Sequence, residues 1–303
     1  MATTVTNPAV AAQARVAAPS AAVQGALAGC AVILATFSLV AARGGLGRNL
    51  LELGGIALLM ILPALVPAAL WHERGAVRWR DAALMVPWGI LMVALLKGAI
   101  LTATARRFPL RDELWRQWDE RLGIDVPRIL DWAGKHATAA HVLAHCYGLL
   151  APMLLAAFLV PALLGRRGAA ERFVLGNAVG FVLALPCILL LPAVGPWVAW
   201  HLPPSTVQHE WELGLQAVRN GNFAADTSLI ASVCLPSFHT FWAVLSAQAL
   251  GVFRWLRIPA AVLAALVVIS TLTTGWHYGV DVIAGLLLAG MAMTVAAVIT
   301  KGE

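Results

Sequence analysis

The sequence predicts an all-α integral membrane protein with about eight transmembrane helices, and three observations lead to this fold class. Of the 303 residues, 60% are hydrophobic and 12% are charged, against about 25% charged in an ordinary soluble domain. Apolar stretches long enough to cross a bilayer recur along the whole chain. Most arginines and lysines lie in the connections between these stretches. Because backbone polar groups in lipid must be satisfied within the chain, the apolar stretches should be helices that form a bundle.

The predicted spans follow one another at about residues 22–42, 50–71, 83–105, 139–165, 173–198, 235–253, 257–274 and 278–300. Residues 1–21 are rich in Ala, Thr and Val without helical periodicity, so we expect a flexible tail. The first span is too long for the apolar core of a signal peptide, and we expect it to remain in the mature protein. Residues 22–303 then form a single multi-pass membrane domain.

One long stretch, residues 110–134, is amphipathic rather than uniformly apolar. Four apolar side chains share a face at helical spacing: Leu114, Trp115, Trp118 and Leu122. The pattern favours a helix lying in the membrane interface, and a solvated helix packed on the bundle is the alternative. A second, shorter pattern in the connection 199–234 predicts a short helix from Trp211, Leu215 and Val218.

The placement of Arg and Lys predicts the orientation of the chain. With a cytoplasmic N-terminus, the inner connections carry nine cations: Arg74, Arg78, Arg80, Arg166, Arg167, Arg172, Arg254, Arg257 and Lys301. The outer connection 199–234 carries only Arg219. Two outer segments run against the rule: the loop with Arg43 and Arg48, and segment 106–138, whose six Arg and one Lys are nearly balanced by acids. We therefore expect a protein of the plasma (inner) membrane.

The net charge of +6 would favour a nucleic-acid partner in a soluble protein. Here many basic residues end apolar spans, where anionic lipid headgroups are the expected counter-charge. The expected partners are therefore membrane lipids, and we expect no nucleic acid.

Two histidines, His239 and His277, lie where the sixth and eighth predicted spans begin. Asp281 follows His277 by one helical turn, so its carboxylate and the imidazole share a face within hydrogen-bonding reach. The chain between the histidines crosses the membrane and returns, which brings both to one side, the outer (periplasmic or lumenal) face. A histidine oriented by an aspartate, with a second histidine nearby, supplies a nucleophile, its orienting group and a proton donor. This arrangement predicts a membrane-embedded enzyme.

At these residues the chain resembles the type 2 phosphatidic acid phosphatase superfamily. The segment Pro236–His239 is similar to its second signature, and His277–Asp281 with Gly285 is similar to its third. The resemblance implies that His277 attacks phosphorus, Asp281 orients it and His239 protonates the leaving alcohol. It also implies a six-helix catalytic core at about residues 83–300, with two additional N-terminal helices and the interfacial amphipathic helix.

The chain departs from that superfamily at two places. Thr271 stands where the third signature usually has Arg, and the first signature, a Lys followed by Arg-Pro, is absent from 199–234. In both losses, and in the sequence Trp276-His277-Tyr278, the chain resembles the aureobasidin-resistance branch, which contains inositol phosphorylceramide and sphingomyelin synthases. The segment Pro109–Gly123, and Tyr147 placed shortly before Pro152, are also similar to bacterial members of that branch.

The missing cations favour one class of substrate. A phosphomonoester carries nearly two negative charges near neutral pH and calls for a clamp of Lys and Arg, whereas a phosphodiester carries one. The Ser237 hydroxyl, or backbone N–H groups at the helix start, can then bind the remaining oxygens. We therefore expect headgroup transfer from a lipid phosphodiester to an alcohol. The alternatives are a lipid or isoprenyl phosphate monoester phosphatase and, in another class, a membrane transporter.

Two further residues are candidates for binding substrate. Lys97 lies inside the third span, where it either supplies charge or extends to the interface, and Tyr147 can present its hydroxyl to phosphate. His141 and His145 share a helix face, yet no acidic ligand accompanies them. We expect no metal and no cofactor.

Overall fold

The structure is a computed structural model that describes residues 21–41, 46–73, 77–223 and 235–301. All regular secondary structure within these ranges is helical, as the sequence predicts. The predicted flexible tail lies outside them, apart from residue 21.

Thirteen helices occupy the described residues. They are α1 (Ala21–Ala41), α2 (Leu46–Glu73), α3 (Val77–Ala105), α4 (Asp112–Leu122), α5 (Val126–Lys135), α6 (Ala137–Gly148), α7 (Leu150–Leu163), α8 (Arg167–Leu190), α9 (Pro196–Ala199), α10 (Thr206–Arg219), α11 (Phe238–Leu250), α12 (Arg254–Thr273) and α13 (Gly279–Lys301).

Seven segments of the described chain are long and apolar enough to cross a membrane, and they match seven of the predicted spans. The protein is therefore a multi-pass membrane protein. The remaining predicted span, 235–253, corresponds to α11, whose 13 residues are fewer than the roughly 20 that cross a bilayer. The predicted span 173–198 ends early, at Leu190, because Pro192 has no amide hydrogen with which to continue the helix.

Helix α8 lies at the centre of the bundle. Buried residues make up 67% of its apolar window, a larger share than in any other span. It packs against α1, α3, α7, α11 and α13, and its side chains belong to the main hydrophobic core. The two N-terminal helices join this core from one side, where α2 packs on α3 and α1 packs on both α3 and α8.

The amphipathic stretch 110–134 forms two helices, α4 and α5, where the sequence predicted one. α4 ends at Gly123, whose φ of 71° is a left-handed conformation that favours glycine. Asp125 then caps the start of α5, and its carboxylate accepts from the Arg128 N–H at 3.0 Å. Two separate caps therefore interrupt a hydrophobic pattern that is otherwise continuous.

Helix α4 buries part of its predicted apolar face against the bundle. Trp115 is buried, whereas Trp118 and Leu122 are exposed. Two acids, Asp112 and Asp119, are buried with Trp115. This side of α4 therefore packs on the end of the bundle, and its placement in the membrane interface stays a prediction. In the connection that follows α9, the predicted short helix is confirmed as α10, with Trp211, Leu215 and Val218 buried.

Helices α11 and α13 approach each other closely where both begin. The Ser237 N–H donates to the backbone oxygen of Asp281 at 3.0 Å. A Cβ at Gly285 would lie 2.5 Å from the backbone oxygen of Ser237 and 2.9 Å from Cβ of Thr240. Only a glycine therefore allows this contact, which holds the segment around His239 against the helix that carries Asp281.

Replacing Gly285 with alanine should destabilise the protein, because the added methyl group must push α11 away from α13. Overpacking of this kind costs roughly 1–3 kcal/mol. The control is Gly290→Ala on the same helix, where a Cβ has no neighbour within 4 Å. We expect a lower thermal unfolding midpoint in detergent for the first variant only; equal midpoints would show that the helices are not in close contact.

Candidate active site

The His277 imidazole and the Asp281 carboxylate lie together at the beginning of α13. Nδ1 of His277 is 3.5 Å from Oδ2 of Asp281, and both side chains are buried. The same carboxylate oxygen accepts from the Tyr278 N–H at 3.0 Å, as expected for an acid in the first turn of a helix. Nδ1 is therefore the ring nitrogen of His277 that faces the carboxylate, and Nε2 is the one farther from it.

His239 faces His277 from the first turn of α11. Their ring centroids are 5.7 Å apart, with 61° between the ring planes. His239 is partly exposed, whereas His277 is 3% exposed. The fold therefore places the two predicted histidines side by side, with His239 on the open side of the pair.

Tyr147 on α6 also contacts the His239 ring. The two rings are stacked with centroids 4.2 Å apart, and the Tyr147 hydroxyl lies 3.3 Å from Nδ1 of His239. When His239 is protonated, Nδ1–H donates to this hydroxyl, and Nε2–H is the proton that can be given away. Tyr147, expected from the sequence to meet phosphate, thus contacts the predicted general acid.

Ser237 is the N-cap of α11 and is fully buried. Its Oγ accepts from the Thr240 N–H at 3.3 Å, which satisfies one of the free amide groups at the helix start. The hydroxyl still has its own hydrogen to donate. The peptide bond between Leu235 and Pro236, immediately before this cap, is cis.

A second carboxylate, that of Asp119 on α4, accepts hydrogen bonds from backbone amides at the N-terminus of α13. Its two oxygens accept from the Gly279 and Val280 N–H groups, each at 2.8 Å. With Asp281 accepting from Tyr278, two acids satisfy three consecutive amides that the helix itself cannot bond. Burial raises the pKa of Asp119 to about 6, and the nearby Asp281 charge adds to the rise, while the two amide donors oppose it.

Asp112, two turns earlier on α4, binds the other side of the same segment. Its carboxylate accepts from the Val194 and Gly195 N–H groups at 2.9 Å and from the Tyr278 hydroxyl at 2.9 Å. Burial raises the pKa of Asp112, against these donors. Because Tyr278 is adjacent to His277, Asp112 connects α4 and the loop before α9 to His277.

The loop that leads into His277 is held by α9 and α10. The Gln208 side-chain amide donates to the Gly275 carbonyl at 3.2 Å, and Gly275 has a φ of 74° that favours glycine. The Trp276 ring makes edge contacts with Trp197 and Trp211 at centroid distances of 5.6 and 6.5 Å. Backbone and ring contacts on both sides therefore fix the position of His277.

Sequence reasoning named the histidines but missed Asp112, Asp119 and Gln208. The two acids are seven residues apart, which places them on one helix face, and that spacing was a usable signal. In the sequence analysis the acids of this segment were considered only as charges that balance nearby arginines. Lys97 was named as a candidate for binding substrate, but it lines a cavity whose described lining includes neither histidine.

The comparisons with known proteins identify the family. The family model of the PAP2 (type 2 phosphatidic acid phosphatase) superfamily matches residues 113–295, more than half of the chain. The chain therefore belongs to the PAP2 superfamily and is an enzyme of phosphoric ester chemistry. The match begins within α4 and ends within α13, so α1, α2 and α3 lie outside it. Searches of curated proteins and of solved structures gave no match.

The raised pKa of Asp119 predicts a pH-dependent stability. The folded chain binds this proton more tightly than the unfolded chain, in which Asp has a pKa near 4, so the Asp119 contribution falls as pH rises from about 4 to about 6. We measure the thermal unfolding midpoint in detergent across this pH range. The midpoint of the wild type should fall as pH rises, and the part of this fall that Asp119 causes should be missing in Asp119→Asn. The control is Asp131→Asn, an exposed acid paired with Lys135. An unchanged profile in Asp119→Asn would contradict the assignment.

Proposed function

We propose that the protein is a lipid phosphotransferase that works through a phosphohistidine on His277. The observation that supports this most directly is the placement of His277 between Asp281 and His239, at 3.5 Å from the carboxylate and 5.7 Å between ring centroids. Catalytic hydrogen bonds are often long before substrate binds, so the 3.5 Å separation is compatible with orientation of the imidazole. The superfamily assignment supports the same reaction class.

The reaction has two displacement steps at phosphorus. In the first, the lone pair on Nε2 of His277 forms a P–N bond, the P–O bond to the lipid alcohol breaks, and His239 protonates the departing oxygen. In the second, neutral His239 removes the proton of an acceptor alcohol, whose oxygen attacks phosphorus as the P–N bond breaks. Each histidine then returns to its starting state, and no metal or other cofactor enters either step.

The charge around the site supports a phosphodiester donor. Thr271, which replaces the usual Arg, is fully buried, and its hydroxyl donates to the Val268 carbonyl at 2.7 Å. It therefore supplies neither charge nor a free donor to a phosphate. A diester, with one negative charge, needs less cationic compensation than a monoester dianion. On this basis we propose transfer of a lipid headgroup, as in the sphingolipid synthases that the sequence resembles, with Ser237 and Tyr147 beside the phosphoryl group.

The position of the site at one end of the bundle supports a reaction at the outer membrane face. Both histidines lie at helix starts, and the loop cations favour a cytoplasmic N-terminus. In a variant without native cysteines, a cysteine at the exposed position 210 of α10 (Glu210→Cys) should react with a membrane-impermeant thiol reagent in intact cells. Arg254→Cys at the opposite end should react only after lysis. The reverse labelling pattern would place the site in the cytoplasm.

Substitution of the catalytic groups should abolish turnover without unfolding the protein. We expect no measurable activity in His277→Ala and a loss of roughly 10²–10⁴-fold in Asp281→Asn, because the imidazole is no longer oriented. His209→Ala, an exposed histidine on α10, is the matched control. Activity should persist in EDTA. A His277→Ala variant with near-normal turnover would exclude the proposed mechanism.

A competition assay separates transfer from hydrolysis. Purified protein is given a lipid phosphodiester and a lipid phosphomonoester at equal concentration, with an alcohol acceptor such as inositol. We expect the transferred diester headgroup to dominate the products, because the site has few cations with which to stabilise a dianion. Predominant release of inorganic phosphate from the monoester would instead support the phosphatase alternative.

A further inference from the structure

A second cavity lies in the membrane-spanning part of the bundle, apart from the histidine site. It has a volume of about 840 Å³ and is formed mainly by α2, α3, α7 and α8. Its walls are largely apolar, with side chains such as Met60, Met92 and Leu154. The volume and apolar walls match a site for a hydrocarbon chain.

Four polar or charged residues also line this cavity, and three of them have partners. The Asn49 side chain donates to the Phe223 carbonyl at 3.0 Å. Glu52 is paired with Arg48, which is four residues earlier, at 2.8 Å. Asn177 accepts from the Trp242 indole N–H at 2.9 Å and donates to a carbonyl of its own helix. These groups are satisfied by the protein itself.

The fourth, Lys97, makes no hydrogen bond or ion pair with any residue in the part of the chain that the structure describes. It is eight residues from the end of α3, about 12 Å along the helix axis. That distance exceeds the length of a lysine side chain, so the ammonium group does not reach the level of the helix end. An ammonium group at this depth is costly unless an anion accompanies it.

We propose that this cavity binds a phospholipid, with its anionic phosphate at Lys97 and an acyl chain along the apolar walls. The cavity supplies the apolar surface. Among the described residues that line it, Lys97 is the only cation, and the carboxylate of Glu52 is already paired with Arg48, so the site is complementary to an anionic amphiphile. Inorganic phosphate has no hydrocarbon chain and so cannot cover the apolar walls of the cavity. We therefore expect the site to bind a lipid rather than free phosphate.

The lipid site is connected to the catalytic helix but distinct from the catalytic site. Trp242, which lines the cavity, lies one turn after His239 on α11, and its ring packs on Phe238 at a centroid distance of 5.3 Å. Both charged lining residues, Glu52 on α2 and Lys97 on α3, precede the residues matched by the family. Helix α2, one of the two additional N-terminal helices, thus completes the lipid site beside the matched core.

Binding is tested on the full-length His277→Ala protein in nanodiscs, so that the result does not depend on turnover. The probes are phosphatidylglycerol and diacylglycerol of equal chain length, each with a photoreactive diazirine in one acyl chain. We expect crosslinks from phosphatidylglycerol at cavity residues such as Met60 and Met92. Lys97→Gln should weaken phosphatidylglycerol labelling about tenfold or more and leave diacylglycerol labelling unchanged.

Two matched controls complete the design. Lys135→Gln removes an exposed lysine that is paired with Asp131, and Ala261→Phe adds a ring to an exposed position on α12; both should label as the parent does. Ala94→Phe, which fills the cavity, should reduce labelling by both lipids. Crosslinks outside the cavity, or equal phosphatidylglycerol labelling with and without Lys97, would overturn the proposal. Neither result would bear on catalysis by His277.

Discussion

The free amide groups at the beginning of α13 are the constraint on which the site depends. A helix leaves its first N–H groups without partners, and in a buried helix start these must be satisfied by acceptors from elsewhere. Asp281 accepts from one and Asp119 from two. Because the residue before these amides is His277, the acceptors that stabilise the helix also set the position of this histidine. The hydrogen bonds that stabilise the helix start therefore also position the proposed nucleophile.

This arrangement explains why an amphipathic helix outside the spans belongs to the candidate active site. Helix α4 contributes Asp112 and Asp119 from one face: Asp112 accepts from the Tyr278 hydroxyl, and Asp119 accepts from the next two backbone amides, those of Gly279 and Val280. Buried carboxylates on a surface helix are costly unless they accept several hydrogen bonds, and each of these accepts at least two. Helix α4 is thus fixed by the same interactions that hold the segment around His277.

Much of the fold could be predicted from the sequence, since long apolar spans and helical spacing depend only on local pattern. The pairing of His277 with Asp281 was predictable because it lies within one helical turn. The contacts of Asp119 with Gly279 join residues 160 positions apart, and no periodicity indicates such a pair. The division of 110–134 into two helices depended on Gly123, whose turn was hidden within a continuous amphipathic pattern. Long-range polar contacts were therefore the part that sequence reasoning could not supply.

The proposed mechanism requires that His277 carry the phosphoryl group during turnover. Purified protein incubated briefly with a lipid substrate labelled with ³²P, then quenched in alkali, should retain acid-labile label, because phosphohistidine is stable to base and hydrolysed by acid. Peptide mapping should place the label on His277, and His239→Ala should change its amount but not its position. Turnover without any labelled intermediate, or label on a residue other than His277, would contradict the mechanism.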